Sequence, residues 1–405
     1  MTGSPGTWLF GMSPFVLAGF LLWRFPRSRQ FRPGPLVTYV VVMSLLIWGA
    51  LAVVAYLASA RVVLREVPLI LWFTISCRLA WEIWSQYVNR LGHGWCRWAR
   101  FRRQTGRPVP CLVRLIPAGR ASLTALVFLP VSVGVVATHR CKLADGQDPM
   151  SVFNLPYEHL RIPTRDGLML DGWFIPENKP SDRTIVICHG AGANKGNFVW
   201  FLGPLAHSGY NVLFFDFRAH GSSDGRTTTY GIRERADVIA AVDWLKANRP
   251  HESRVVVGLG SSQGSMALAL AAAEDARVDA VVLDSPFVSP RDLLRDNTRL
   301  LPMLGPLFAD GMLALVSLLT GTSFFAVSAE QAVAAIGARP VLVIHGDGDF
   351  VMPRSHAERL YDAATGPRDI WFGPGPHSNI ITQAPHEYAD RMFGFLRQHL
   401  PRGEP

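Results

Sequence analysis

The sequence predicts an α/β domain, a mostly parallel sheet with helices on both faces, preceded by an α-helical transmembrane region. Three observations predict it. From Tyr157 to Leu400, short β-branched apolar runs alternate with helix-patterned segments. Before Asp148 the chain holds long runs almost free of charge, each near the ~20 residues that span a bilayer. The two halves also differ in charge: residues 1–150 hold 17 Lys/Arg against 4 Asp/Glu, net +13, whereas 151–405 are net −4, within a total of +9.

The amino-terminal half reads as residues 1–144 of membrane region, with spans at 8–23, 36–60 and 121–138. A fourth apolar run, 67–84, carries Arg78 and Glu82, four residues apart and able to pair on one helix face. Its neighbours decide how it is read. Arg24, Arg27, Arg29 and Arg32 fill one loop, and Arg90, Arg97, Arg100, Arg102, Arg103, Arg107, Arg114 and Arg120 fill another. Arginine-rich loops stay cytoplasmic. If both share that side, 61–66 lies opposite and 67–84 must cross. The expectation is a multi-pass protein of a bacterial inner membrane, with the amino terminus and everything after His139 on the outer face.

Composition also narrows the function. The basic residues belong to the membrane region while the remainder is mildly acidic, so nucleic-acid binding loses its main support. The five cysteines, Cys77, Cys96, Cys111, Cys141 and Cys188, show no paired spacing, and neither CxxC nor HExxH occurs. No disulfide framework, metal or cofactor is expected, and nothing specifies an oligomeric state. DGQDPMSVFNLP (145–156) reads as a polar linker into a domain over 157–400.

Within that domain, YEHLRIP and LMLDGWFIP form a leading strand pair joined across Arg165-Asp166-Gly167. TIVICHG (184–190), NVLFFDF (211–217), RVVVGLG (254–260), VDAVVLDS (278–285), PVLVIHG (340–346) and RDIWFG (368–373) follow. Such near-continuous apolar runs fit strands buried on both faces. Helices are expected over 231–250, 262–275, 355–365 and 386–400. Ligands of such sheets gather at the carboxyl ends of the strands.

The turn GLGSSQG (258–264) sits at one of those ends. As a phosphate cradle it has Gly258, Gly260 and Gly264, and Asp284 follows at the distance of a ribose-binding acid. The spacing fails, because GxGxxG needs glycine where Gln263 stands. As G-x-S-x-G, Gly260-Ser261-Ser262-Gln263-Gly264 is a nucleophile elbow that lifts Ser262 above the sheet. The pattern alone is weak, but its partners follow in the order the chemistry requires. Asp349 lies beyond PVLVIHG, and His377, in PGPHSNI, lies beyond RDIWFG.

From about Tyr157 to Leu400 the chain resembles the bacterial α/β-hydrolases of the serine-hydrolase group that includes dienelactone-hydrolase-like, prolyl-oligopeptidase-like and BEM46-like members. The resemblance is carried by HGAGANKGN (189–197), DFRAHGSSDG (216–225), GSSQG (260–264), DSPF (284–287), HGDGDFVMP (345–353) and PHS (376–378). It implies an α/β-hydrolase fold and selects Asp349 over Asp347 as the acid. It also implies an oxyanion hole formed by the backbone N–H groups of Gln263 and Ala191. Gln263 stands where many relatives have methionine, a change that should be tolerated because the backbone supplies the donor.

The expected chemistry is acyl transfer: Ser262 attacks a carbonyl, His377 carries the proton and Asp349 orients the imidazole. The partners implied are a small-molecule, lipid or peptide acyl substrate and a membrane, and the product class is a cleaved ester, thioester or amide. A catalytically idle domain of the same fold, used for binding beside a membrane, is the alternative, and a dinucleotide-dependent oxidoreductase is the third reading. Cys188 reads as core, and Asp216, Arg218 and His220 read as loop-bracing. An insertion over about 287–338 stands where relatives carry a cap. Its run LLPMLGPLFADGMLALVSLLTGTSFF (300–325) is apolar enough to imitate a fifth span, but a crossing there would part Ser262 from Asp349 and His377.

Overall fold

The computed structural model describes residues 147–205, 207–298 and 305–401, with isolated residues 102, 104–106, 134, 137–139 and 142 before them. The expected spans 8–23, 36–60 and 67–84 lie outside the described residues, as does most of 121–138. The fold belongs to a compact unit, Leu129–Pro405.

Eight strands form one sheet: β1 (Glu158–Pro163), β2 (Met169–Ile175), β3 (Arg183–Cys188), β4 (Asn211–Phe215), β5 (Val255–Ser261), β6 (Ala280–Asp284), β7 (Val341–Gly346) and β8 (Arg368–Gly373). Their order is β1-β2-β4-β3-β5-β6-β7-β8. β1 pairs antiparallel with β2, and β2 with β4; every later pairing is parallel. The six short apolar runs between 184 and 373 became β3 to β8 because alternate residues serve opposite faces. Val256, Val281 and Val343 join one core cluster, while their chain neighbours Val257, Val282 and Ile344 join the other.

Ten α-helices are described within the domain: α1 (Pro149–Phe153), α2 (Leu202–Leu205), α3 (Arg235–Asn248), α4 (Gln263–Glu274), α5 (Pro290–Asn297), α6 (Gly305–Thr320), α7 (Ala329–Ile336), α8 (Arg354–Ala363), α9 (Ile380–Gln383) and α10 (Pro385–His399). α3, α4, α7 and α8 cover the first face through Val238, Leu268, Val333 and Leu360. α2 and α10 cover the second through Leu202, Tyr388, Met392 and Leu396. The segment read as a linker over 145–156 is more ordered than its polarity suggested. Asp148 caps α1 by accepting from the Ser151 N–H at 2.9 Å, and Leu155 is buried in the second cluster.

The insertion over 287–338 contains α5, α6 and α7. α7 packs into the main core through Val333 and Ile336, leaving α5 and α6 as the outlying pair. α6 covers a small cluster formed by Ile232, Met312, Leu313, Val316 and Phe324. Among the described residues no helix is long and apolar enough to cross a membrane; of the apolar run at 300–325, residues 305–320 form α6.

Candidate active site

Three parallel strands end where the expected site residues begin. Ser262 follows β5, Asp349 lies three residues beyond β7, and His377 lies on the loop after β8. The structure brings the three together. His377 Nδ1 donates to Asp349 Oδ2 at 2.7 Å, and its Nε2 stands 2.9 Å from Ser262 Oγ. The Asp349 side chain is fully buried and that of His377 is 20% exposed, so the chain of bonds runs from the interior to a solvent-reachable imidazole.

Ser262 is held in a backbone conformation that side chains rarely adopt, with φ 54° and ψ −112°. Such residues cost on the order of 1–3 kcal/mol and persist only where their surroundings force them. Here its N–H donates to the Asp284 carbonyl at 2.9 Å, and Ser265 Oγ bridges the carbonyls of Gly260 and Asp284 at 2.6 and 2.8 Å. The two glycines of the turn exist for packing. A Cβ on Gly264 would lie 2.0 Å from the Cys188 carbonyl oxygen, and one on Gly260 would lie 2.5 Å from the Gly264 carbonyl oxygen. No space remains between them for a phosphate group, and Asp284, the acid a ribose would need, is fully buried. The dinucleotide reading therefore fails on both of its supports.

Gln263 is the first residue of α4, so its N–H belongs to the helix terminus that faces Ser262. Ala191 lies on the loop after β3, and that loop abuts the same serine: a Cβ on Gly190 would stand 3.5 Å from Ser262 Cβ. The two expected donor residues thus flank Ser262 from separate elements.

That loop is braced by His220 and Asp216, which the sequence marked as loop-bracing, and by His189, Lys195 and Asp171, whose part it did not reveal. Gly192 N–H donates to His220 Nε2 at 3.3 Å, and His220 Nδ1 donates to the Arg218 carbonyl at 2.9 Å. His189, beneath it, accepts from Phe217 N–H at 3.0 Å; burial and the adjacent His220 lower its pKa to about 3. Both imidazoles connect backbone groups of neighbouring loops. Lys195 Nζ bridges Asp171 and Asp216, each at 2.6 Å, under the face of the Trp173 ring. Burial favours a neutral Asp216, but the Lys195 charge and hydrogen bond outweigh it and hold the carboxyl below its ordinary range. Asp216 also accepts the backbone N–H groups of Lys195 and Ser222 at 2.6 and 2.9 Å, tying the loop after β3 to the loop after β4. The expectation that Asp216, Arg218 and His220 brace loops agrees with these bonds, and Cys188 is a buried free thiol of β3 whose pKa burial raises.

The acid and histidine loops are fixed to one another as well. Asp349 Oδ1 accepts the N–H groups of Val351 and Met352, each at 2.9 Å. Burial alone would raise its pKa; the hydrogen bond and charge of His377, the Met352 N–H and His345 together bring it below the ordinary carboxylate range. Asp347 is exposed and only accepts from Gly375 N–H at 3.3 Å. Behind His377, Ser378 N–H donates to Ser285 Oγ at 2.9 Å, and Ser285 Oγ donates to Asp284 Oδ1 at 2.8 Å. Tyr388 supplies the other carboxylate oxygen of Asp284 with a hydrogen bond of 3.1 Å, while burial pushes the Asp284 pKa up to about 6. The motifs DSPF and PHS mark Asp284, Ser285 and Ser378, but only the fold joins them. Among the described residues, no cluster of His, Cys, Asp and Glu has the arrangement of a metal site.

The strand order, the turn after β5 and the loops after β7 and β8 are those of an α/β-hydrolase fold. A family model described as the alpha/beta hydrolase fold matches residues 183–334. The chain is similar to YqkD of Bacillus subtilis, 29% identical over 304 residues that cover 68% of this chain and 95% of YqkD. It is also similar to the Saccharomyces cerevisiae membrane protein YNL320W, 25% identical over 246 residues covering 60% of this chain and 80% of that protein. Among solved structures, the Pyrococcus furiosus esterase Pf2001 superimposes with a TM-score of 0.56 at 25% identity, covering 65% of this chain and 99% of the esterase. Fold and neighbours together support a hydrolase.

Proposed function

We propose that the chain is a membrane-anchored serine hydrolase that cleaves a carboxylic ester, thioester or amide through an acyl-enzyme on Ser262. The observation that carries this reading is the hydrogen-bonded sequence Asp349–His377–Ser262 on the loops after β7, β8 and β5. In the first step Ser262 Oγ attacks the substrate carbonyl carbon while His377 Nε2 takes its proton; Asp349 stabilises the imidazolium and holds Nδ1 as the donor. The carbonyl oxygen becomes an oxyanion that accepts from the backbone N–H groups of Gln263 and Ala191, and losing one such donor costs about 3–4 kcal/mol of barrier. His377 then protonates the leaving group, and a water deprotonated by the same nitrogen releases the acid and restores Ser262.

The deciding experiment is labelling with a fluorophosphonate probe. The full-length protein should label and should turn over p-nitrophenyl esters, and Ser262→Ala should abolish both while keeping its circular dichroism. A folded protein that neither labels nor hydrolyses would instead be the idle domain. Labelling that survives unchanged in Ser262→Ala would remove the serine assignment.

The membrane part of the proposal draws on the four apolar runs and the two arginine-rich loops of residues 1–144. A relative described as a membrane protein agrees with it. The same charge pattern puts the hydrolase domain on the outer face of a bacterial inner membrane. Alkaline phosphatase fused after residue 145 should therefore be active and fluorescent protein there dark, with the reverse at residue 104. A bright fluorescent fusion after 145 removes one span, and with it the outer placement.

A further inference from the structure

We infer that the outward face of α6 is a lipid-docking surface, seating the cap in the bilayer interface so that the site draws acyl substrates from the membrane. This inference rests on the anchored-hydrolase reading above. α6 is apolar on two sides. Its inner side, Met312, Leu313 and Val316, is buried against the body of the domain. Its outer side leaves Leu307 65%, Leu318 80% and Leu319 38% exposed, with Phe325 just beyond its end 42% exposed. Singly exposed leucines are ordinary, but several on one helix need a reason.

The polar groups of α6 do not offer one in water. Asp310, its only charged residue, is bound by Arg291 and Arg295 of α5 at 3.0 and 3.1 Å. Thr320 Oγ1 donates to the Val316 carbonyl at 2.7 Å, and Ser317 Oγ accepts from Phe324 N–H at 3.1 Å. Ser317 and Thr320 are satisfied within the protein, and Asp310, 34% exposed beside Arg291 and Arg295, keeps one charged flank wet; the rest of the outer face is apolar surface to bury, the division an interfacial helix requires.

The chain itself brings a membrane boundary to this helix. The apolar run 121–138 is the last of the expected spans, and its final residues meet α6 and the adjoining loop. Gly134 packs so closely that a Cβ there would lie 3.1 Å from Val316 and 3.6 Å from Leu315 and Met312. Thr138 carbonyl accepts from Thr228 N–H at 2.8 Å, and Ala137 carbonyl accepts from Tyr230 Oη at 3.3 Å. A span ending beside α6 sets that helix at the level where hydrocarbon gives way to headgroups. The occupant of its outer face is then the lipid surface. α5 and α6 follow the carboxyl end of β6, and Phe350, 86% exposed, sits beside Asp349 beyond the carboxyl end of β7. Cap and site therefore rise from the same edge of the sheet.

The test uses the full chain in phosphatidylcholine–phosphatidylglycerol vesicles, with Cys77, Cys96, Cys111 and Cys141 replaced by serine and the buried Cys188 retained. An environment-sensitive fluorophore is placed at Leu318→Cys or Leu307→Cys, and at His251→Cys on the opposite, amino-end edge of the sheet as control. Brominated acyl chains should quench the label at 318 and 307 and spare it at 251. A label at 318 as open to aqueous iodide as that at 251 overturns the proposal. So does a label shielded from iodide yet not quenched by bromine, because protein then covers the face. Leu318→Asp should lower hydrolysis of a vesicle-borne long-chain ester, relative to a soluble short-chain ester, about tenfold; an unchanged ratio overturns the link between docking and substrate supply. Carbonate extraction and Ser262-dependent labelling, measured separately, report whether the anchor or the hydrolase reading has failed instead.

Discussion

Replacing Asp349 by asparagine changes one atom, and the structure determines which way the new amide must face. Oδ1 accepts two backbone N–H groups, from Val351 and Met352 at 2.9 Å each, so the amide oxygen of the variant is held on that side. Its NH2 group then points at His377 Nδ1, which must become an acceptor. The imidazole proton moves to Nε2, facing Ser262, where a base is needed. Turning the amide over would restore the tautomer but would set NH2 against two buried N–H donors, at about 1–3 kcal/mol each. Two such penalties, about 2–6 kcal/mol together, correspond to a turnover loss of roughly 30- to 10⁴-fold, and keeping the wrong tautomer costs ~10⁴-fold for this substitution in serine hydrolases of another fold. Asp347 provides the internal control. It is exposed, and its single bond to Gly375 N–H is one an asparagine carbonyl accepts equally well. Asp347→Asn should therefore cost under about threefold, the scale of an exposed charge. Steady-state hydrolysis of p-nitrophenyl acetate and fluorophosphonate labelling rates, on protein with unchanged circular dichroism, separate the two. An Asp349→Asn enzyme within tenfold of the parent, or equal damage from both substitutions, would refute the tautomer argument.

Two further outcomes follow from the bracing groups. His220→Ala frees the Gly192 N–H beside the proposed oxyanion donor; loosening that donor rather than deleting it should lower kcat about tenfold with little change in KM, and a kcat equal to the parent's would show that the loop holds without it. Asp284 has a folded pKa of about 6 against an unfolded value of about 3.9. The folded state therefore keeps a proton that the unfolded chain has lost between pH 4 and 6, and this stabilisation, complete below pH 4, disappears as pH rises through 6. The change totals about 2–3 kcal/mol. Asp284→Asn cannot titrate, so its melting temperature relative to the parent should climb from pH 4 to 6 and level off above; parallel melting curves across that window would contradict the assignment.

The parts of this fold that were legible in the sequence are those that recur along the chain. β3 and β5 to β7 are buried on both faces, so Val256 and Val257 are alike in chemistry although they serve opposite layers, and the run betrays the strand. The convergence of the candidate site residues was legible for a related reason. A parallel sheet delivers its loops to one edge, so a serine, an acid and a histidine placed after β5, β7 and β8 converge without any further information. What joins those loops was not legible. Lys195 is a lysine in a glycine-rich turn, and nothing local says that it will be buried between Asp171 and Asp216. Ser285, Ser378 and Tyr388 are ordinary polar residues until the fold stacks them behind His377. Their bonds span up to 117 residues of sequence, as in Ser261 to Ser378, and no periodicity records a pairing made once.

This division has a physical basis that extends to the strain at Ser262. A repeated pattern specifies secondary structure because many weak preferences add, whereas a serine held at φ 54° opposes local preference and needs support from outside its own segment. Here that support arrives from β6, through the Asp284 carbonyl, and from β3, whose Cys188 carbonyl leaves room only for glycine at 264. The same Asp284 that holds the serine backbone through its carbonyl holds the histidine loop through its carboxylate and Ser285. One buried residue at the end of β6 thus links the strained turn after β5 to the loop after β8. The distance between Ser262 and His377 is set by the sheet rather than by either loop alone.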